Sequence, residues 1–199
     1  MSAAALLLLS PLLVMIAVAG KLSSPGPVVY RAPRTGKGGA LFTLYKFRTM
    51  TVDAAQSGPA ITRHGDPRVT PFGRFLRRTK LDELPQLVNV LIGNMSLVGP
   101  RPEDPGYVKL YSSAQRRVLD VKPGITSPAS LLHRDEEGML TGPDWEQTYR
   151  KKILPEKLRI ELDYLSRRTI GGDIRILAQT VGAILRRPRV AHREASWRT

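Results

Sequence analysis

Apolar residues are concentrated at the N-terminus of the chain. Residues 1–20 (MSAAALLLLSPLLVMIAVAG) contain no charged side chain. A helix of this length, rising about 1.5 Å per residue, reaches roughly 30 Å, the thickness of one hydrocarbon core. Pro11, which follows Ser10, removes a helical hydrogen bond, so we expect a kink there. The pattern leaves four readings open: a spanning helix, a re-entrant helix, a signal peptide ending near Ala17-Val18-Ala19, or a buried soluble helix.

The remaining chain alternates short apolar runs with turn signals. Residues 28–30 and 41–47 predict two strands around a glycine-rich hairpin at 34–39. Helical spacing of apolar residues predicts the helices, over residues 72–78, 84–92, 107–120, 145–168 and 170–184. The last of these either lies at a membrane interface or packs on the core. The fold class is therefore α+β and mostly helical, with one small β-hairpin.

Charge narrows the classes of partner. Lysine and arginine total 31 against 17 acidic residues, a formal charge of +14, which favours nucleic acid, an anionic membrane or a phosphate-bearing substrate. Aromatic residues are only 6%, few for a protein that stacks bases, and the absence of cysteine excludes thiolate metal sites. The residues before Asp53 include six cations and no acid, so the part that follows the apolar segment should face the cytoplasm.

One acidic pair stands out in the segment RRTKLDELPQL. Asp82 and Glu83 lie just before Pro85, a residue suited to the first turn of a helix. Acids at that position commonly cap the helix and complement its dipole. Three cations among residues 77–81 favour a second reading, in which the carboxylates stay ionised. An ionised aspartate can act as a nucleophile, and a carboxylate pair can hold Mg²⁺ against a substrate phosphate.

Two further segments place cations where they could contact phosphate. In YKFRTM, Lys46 and Arg48 alternate with aromatic residues, so a strand would put both cations on one face. In GPRPE, Arg101 lies between two prolines, which suits rigid, bidentate recognition of phosphate. A solvated strand face and an ordinary surface turn are the alternatives.

Four segments together resemble one known family. SPGPVVYRAPRTGKGG, YKFRTM, DPRVTPFGRFLRRTKLDELPQLVNVLIGNMSLVGPRPE and VKPGITSPASL are similar, in order and spacing, to the bacterial sugar transferases, small monotopic phosphoglycosyl transferases. The resemblance runs from about residue 6 to about residue 185. Where many members carry GITGxAQVxGR, this chain has Ser127 at the second glycine, which bears on sugar preference more than on reaction type.

The resemblance implies a reaction and a set of residues for it. The family transfers a sugar-1-phosphate from a UDP-sugar to a polyprenyl phosphate, requires Mg²⁺ and releases UMP. By this likeness Asp82 would form a covalent phosphosugar intermediate, and Glu83 would assist the metal site, so that both acids are candidate metal ligands. The candidate substrate and phosphate contacts are Lys46, Arg48, Arg77, Arg101 and, by a weaker match, Asp163.

The resemblance also implies an architecture. Residues 1–22 would form a re-entrant helix that turns back at Ser10 and Pro11, residues 23–187 a catalytic domain, and residues 188–199 a basic tail. The protein would lie in the phospholipid bilayer of the bacterial inner membrane as a monotopic enzyme, with its domain on the cytoplasmic face. We expect no nucleic-acid partner and leave oligomerisation open. The rival readings are a membrane-tethered protein that binds nucleic acid or anionic lipid, and a secreted basic protein.

Overall fold

The computed structural model describes residues 2–59 and 61–185 of the chain. Its α-helices are α1 Ser2–Ser23, α2 Pro71–Thr79, α3 Gln86–Leu91, α4 Pro105–Val108, α5 Pro128–Leu132, α6 Glu136–Met139, α7 Trp145–Thr148, α8 Leu154–Ser166 and α9 Ile170–Leu185. Its strands are β1 Val29–Thr35, β2 Leu41–Phe47, β3 Ser96–Val98 and β4 Gly124–Thr126. The prediction of a mostly helical α+β protein with a small hairpin is confirmed. The predicted basic tail at 188–199 lies outside the described residues.

The N-terminal apolar segment forms one helix, α1, which continues through Pro11. Ser10 donates its hydroxyl to the carbonyl oxygen of Leu7 at 2.8 Å. One face of the helix packs on the body of the protein, where Ile16 is buried among apolar side chains of β2 and α2. The opposite face is exposed along the whole helix, including Leu8 and Met15. The helix is long and apolar enough to cross a membrane.

The predicted hairpin is present, with a shorter loop than the glycines suggest. Strands β1 and β2 pair antiparallel from Val29–Phe47 to Thr35–Leu41. Arg34 and Thr35, assigned to the turn by sequence, continue β1 because each finds a partner from the chain after β3. Thr35 donates its backbone N–H to Glu103 at 3.1 Å, and Arg34 forms an ion pair with Asp104 at 3.0 Å.

The helix predicted over residues 107–120 is wrong. Helix α4 ends at Val108, and the chain resumes helical structure only as a short 3₁₀ segment over Gln115–Asp120. Between them, Ser112 and Gln115 exchange hydrogen bonds: the Ser112 N–H donates to Gln115 Oε1 at 2.8 Å and the Gln115 N–H to Ser112 Oγ at 3.3 Å. This reciprocal pair is a capping box, so it begins a new helical segment at a point where a single helix would have continued.

The helix predicted over residues 145–168 is confirmed in outline, with an internal irregularity. A π-helical segment, Tyr149–Ile153, joins α7 to α8. Pro155 lies in the first turn of α8, where its missing N–H costs little. The largest buried cluster forms here, with Tyr149, Leu154 and Leu158 packed against residues of α4. Helix α9 buries Ile176 and packs Leu177 beside it, but leaves Ile170, Ile174 and Val181 exposed, so both predicted roles for this helix remain open.

Candidate active site

Two local features position the acidic pair. Helix α2 ends at Lys80, which adopts left-handed backbone angles (φ 59, ψ 15), and a single 3₁₀ turn, Leu81–Glu83, then leads into α3. Asn89 of α3 is fully buried, and its side chain fixes strand β2: Nδ2 donates to the carbonyl of Thr43 at 2.7 Å and Oδ1 accepts the N–H of Tyr45 at 3.0 Å. These two hydrogen bonds align β2 with the turn, so Lys46 lies beside Glu83.

Glu83 is a buried anion held by two cations. Its Oε1 accepts hydrogen bonds from Lys46 Nζ at 3.0 Å and from Arg101 Nη2 at 2.5 Å, while Oε2 accepts one from Arg101 Nη1 at 3.2 Å. Burial alone would raise the pKa of this carboxyl, but Arg101 and Lys46 hold it well below the usual value. Both oxygens of Glu83 are therefore engaged with the protein itself.

Asp82 has a different environment. Only 6% of the residue is exposed, and its Oδ1 has no hydrogen-bond partner among the described residues. Burial raises the pKa of the Asp82 carboxyl, and the charge of Lys46 opposes that rise. The sequence places cations beside both acids, but the structure gives the strong ion pairs to Glu83 and leaves Asp82 with an unpaired and more basic oxygen.

A broad groove opens in front of the pair. It is bordered by β2, by residues 61–66, by α2 and by α6. Arg77 of α2 faces this groove and donates from Nε to Thr49 Oγ1 at 2.9 Å. Its Nη1 forms an ion pair with Glu137 of α6. Arg77, which was predicted to contact phosphate, therefore lies near the acidic pair, and its guanidinium is already paired with the Glu137 carboxylate.

The structure separates Arg48 from Lys46. Lys46 points to Glu83, whereas Arg48 Nη2 donates to the carbonyl oxygen and to the hydroxyl of Ser24, both at 2.8 Å. Arg48 borders the groove, but its described hydrogen bonds hold the linker that follows α1. The alternative of a solvated cationic strand face is wrong for Lys46, because that ammonium is largely buried against Glu83.

Asp163 is not brought to the acidic pair. Its side chain is 55% exposed and pairs with Arg167 at 3.0 Å, one turn further along α8. Glu161, two residues earlier, points inward instead and accepts a hydrogen bond from Ser127 Oγ at 2.5 Å. Burial raises the pKa of Glu161 to about 7, and its Oε2 has no partner among the described residues. The helical spacing of Leu154, Leu158 and Glu161 is the signal that places Glu161 on the buried side.

A second buried charge network, which the sequence does not predict, includes Glu103, two residues after Arg101. Lys157 Nζ donates to Glu136 Oε2 at 2.6 Å and lies 3.9 Å from Glu103 Oε2. The same Glu103 oxygen accepts the hydroxyl of Tyr149 at 2.7 Å. Glu103 and Glu136 also raise the pKa of Arg101, after the larger effect of Glu83. The negative charges of this network help to keep Arg101 protonated.

Of the two acids in the pair, Asp82 is the one with an oxygen available to bind a magnesium ion. No group of three or more metal-binding side chains occurs in residues 2–59 and 61–185, so these residues do not build a complete protein cage. Mg²⁺ is commonly held by one or two carboxylates together with substrate phosphates. The unpaired Asp82 oxygen suits such a site, whereas the oxygens of Glu83 are occupied by Lys46 and Arg101.

The sequence is similar to known proteins over nearly its whole length. The sequence model of the family described as "Bacterial sugar transferase" matches residues 1–187. A UDP-glucose:undecaprenyl-phosphate glucose-1-phosphate transferase of Escherichia coli K12 is 39% identical over 180 residues, which are 88% of this chain and 36% of that protein. An exopolysaccharide production protein, PSS, of Rhizobium leguminosarum bv. phaseoli is 39% identical over 194 residues, covering 94% and 92%.

A third relative has a different sugar in its name. The putative undecaprenyl-phosphate N-acetylgalactosaminyl 1-phosphate transferase of Bacillus subtilis 168 is 46% identical over 128 residues, 64% of this chain and 70% of that protein. The chain thus spans about a third of the length of the Escherichia coli relative and nearly the full length of the Rhizobium one. The similarity covers the acidic pair and the segments that surround it.

Proposed function

The chain belongs to the bacterial sugar transferase family, and from that membership we propose that it transfers a sugar-1-phosphate from a UDP-sugar to a polyprenyl phosphate. The names of relatives from several bacteria, which specify undecaprenyl phosphate with glucose or N-acetylgalactosamine, support both substrate classes. Because the names differ in the sugar, the sugar is left unassigned.

One observation carries the proposal at the level of chemistry. Asp82 has an unpaired carboxylate oxygen in a buried site, and its neighbour Glu83 is fixed between two cations. The pair therefore divides into a nucleophile and a structural anion. A buried carboxylate with a raised pKa is a stronger nucleophile than a solvated one.

The reaction follows in two balanced steps. An Asp82 oxygen attacks the phosphorus that carries the sugar, a bond forms between that oxygen and phosphorus, and the bridging bond to the other phosphate breaks to release UMP. A phosphate oxygen of the polyprenyl phosphate then attacks the same phosphorus, and the bond to Asp82 breaks. Both nucleophiles are anions, so neither step requires a protein group to remove a proton.

The cations near Asp82 reduce the repulsion between an anionic nucleophile and an anionic substrate. Lys46 and Arg101 keep Glu83 in place and add positive charge at the side of the groove. Arg77 would exchange its contact with Glu137 for a substrate phosphate. Mg²⁺ is the proposed cofactor, held by Asp82 together with substrate phosphates, and it would supply further charge neutralisation at the phosphoryl group.

The proposal includes an attachment to the membrane. We place α1 in the bacterial inner membrane as a re-entrant helix that turns back at Ser10 and Pro11, with the catalytic residues at the cytoplasmic interface. The exposed apolar face of α1 and the cations that follow it support this arrangement. Because the chain has no cysteine, single cysteines at positions 2 and 21 can be labelled without background. Labelling of both from the cytoplasm agrees with re-entry, and labelling from opposite sides contradicts it.

The activity is tested by UMP release. The purified protein is incubated with Mg²⁺, a polyprenyl phosphate and each member of a panel of UDP-sugars, and UMP is measured. We expect release with at least one UDP-sugar and loss of release in Asp82→Asn, with the variant still bound to membranes. No release from any sugar, with salt-sensitive binding to nucleic acid or anionic vesicles instead, would support the rival reading.

A further inference from the structure

Lys80 has an unusual backbone conformation for its residue type. It is the one residue other than glycine with a positive φ in the part of the chain that the structure describes. Its N–H donates to the carbonyl of Arg77 at 3.1 Å, and its own carbonyl accepts the N–H of Glu83 at 3.2 Å. Lys80 thus ends α2 and begins the turn that carries the acidic pair. Glycine and asparagine adopt this conformation more readily, so the turn itself does not call for a cation.

The charges around the pair leave Lys80 as an uncompensated cation. The two carboxylates of Asp82 and Glu83 balance the charges of Lys46 and Arg101, and those two cations are bonded to Glu83. Lys80 has no hydrogen bond or ion pair from its side chain to any residue in 2–59 or 61–185, and it borders the groove. Asp82 and Glu83 border the same groove as Lys80, and a single residue separates Lys80 from Asp82 in the chain.

We propose that the Lys80 ammonium binds the phosphoryl group that Asp82 attacks, by contact with its non-bridging oxygens. The inference rests on the proposed function, which supplies the substrate, and assigns a further catalytic residue to it. Lys80 precedes Asp82 by two residues in the same tight turn, so nucleophile and cation are held on one rigid element. An ammonium beside Asp82 can contact the transferred phosphoryl group in both steps, when UMP leaves it and when polyprenyl phosphate attacks it.

The contact has a kinetic consequence. The phosphoryl group stays at Asp82 through both steps: it is attacked when the bond from Asp82 forms, and attacked again when that bond breaks. Removal of the Lys80 charge should therefore slow both steps by similar factors. A cation that contacts only the UMP portion would affect formation of the Asp82 adduct and leave its discharge unchanged.

The left-handed conformation provides a clean substitution. Lys80→Asn removes the charge and suits the backbone, so thermal stability should stay equal or rise. Lys80→Arg keeps the charge in a similar side chain. Lys109→Asn removes a cation at an exposed position away from the groove and serves as the matched control. Formation is measured as the burst of UMP without acceptor, and discharge as loss of the adduct after polyprenyl phosphate is added.

We expect both rates to fall about 10- to 100-fold in Lys80→Asn, the usual range for a lost hydrogen bond to a charged group, and to stay near wild type in Lys80→Arg and Lys109→Asn. Wild-type rates in Lys80→Asn, a loss confined to formation, or a fall in melting temperature would each overturn the assignment. A wild-type protein that releases no UMP from any UDP-sugar refutes the proposed function itself. The two failures are therefore distinguishable.

Discussion

Replacement of Glu83 by glutamine tests the charge arrangement of the site. The Glu83 side chain is 12% exposed and accepts hydrogen bonds at 2.5, 3.0 and 3.2 Å from Lys46 and Arg101. Glutamine keeps one acceptor oxygen and removes the negative charge that both cations contact directly. Breaking a buried ion pair in this way costs about 3–5 kcal/mol. Arg101 retains 31% of its side-chain exposure, so we expect a loss at the lower end, about 3 kcal/mol.

The loss can be measured by thermal unfolding of the purified protein in detergent. A change of about 3 kcal/mol corresponds to a decrease in melting temperature of roughly 6–12 °C for a chain of this size. Asp163→Asn is the matched control, because the Asp163–Arg167 pair is mostly exposed and such pairs contribute about 0–1 kcal/mol. If Glu83→Gln and Asp163→Asn melt within about 2 °C of each other, Glu83 does not hold the cations as described.

The same variant gives a dependence on pH. The pKa of Glu83 is lower in the folded protein than in the unfolded chain. Its stabilising contribution is therefore fully present above the unfolded value and is lost as pH falls through the folded value. The difference in melting temperature between wild type and Glu83→Gln should shrink in acid. If the difference in melting temperature stays constant as the pH falls through the folded-state pKa of Glu83, then Glu83 is not charged in the folded protein.

Three other predictions concern separate residues. Glu137→Gln frees Arg77, so the affinity for UMP measured by calorimetry should rise about two- to fivefold; weaker binding would show that Glu137 contacts the ligand. Glu161 keeps its proton in the folded state up to about pH 7 and loses it near 4.5 when unfolded, so stability should fall by about 3 kcal/mol between these values. Glu161→Gln should remove that decline in denaturation curves, and an unchanged decline would exclude Glu161 as its source. Gly73→Ala puts a Cβ 1.9 Å from a backbone carbonyl oxygen and should lower the melting temperature strongly, whereas Gly171→Ala meets no atom within 4 Å and should be tolerated.

Local spacing was enough to predict the elements that build the turn. Helix α2 has a polar residue at its start, a proline in the first turn and a basic end, all readable from the sequence. The acidic pair before Pro85 was predicted to precede a helix, and it does. The hairpin was predicted in the same way, but its first strand, predicted over residues 28–30, extends to Thr35.

Partners from distant parts of the chain were not predictable. Lys46 and Arg48 look equivalent in sequence, yet one reaches Glu83 and the other reaches Ser24, because β2 ends between them. Glu137 lies 60 residues from Arg77, and no local pattern joins the two. Pairing of this kind depends on how the elements pack, which a single sequence does not state.

Two sequence expectations differ from the structure for different reasons. The family likeness favours Asp163, which is exposed, whereas the buried spacing of α8 favours Glu161, which points inward. Apolar periodicity predicts one helix over residues 107–120, but Ser112 and Gln115 form a capping box that begins a separate segment within that range. Periodicity reports which residues are buried more reliably than where a helix stops.

The role of Asp82 is tested most directly by locating the phosphosugar on the protein. The wild-type protein is incubated with Mg²⁺ and an accepted UDP-sugar, without lipid acceptor, then quenched in acid and digested with trypsin. We expect the added mass of one sugar phosphate on the peptide of residues 81–109, with fragmentation placing it on Asp82. Asp82→Asn should carry no added mass and transfer no sugar phosphate. An adduct on another residue, or wild-type transfer by Asp82→Asn, would contradict the assignment of Asp82 as the nucleophile.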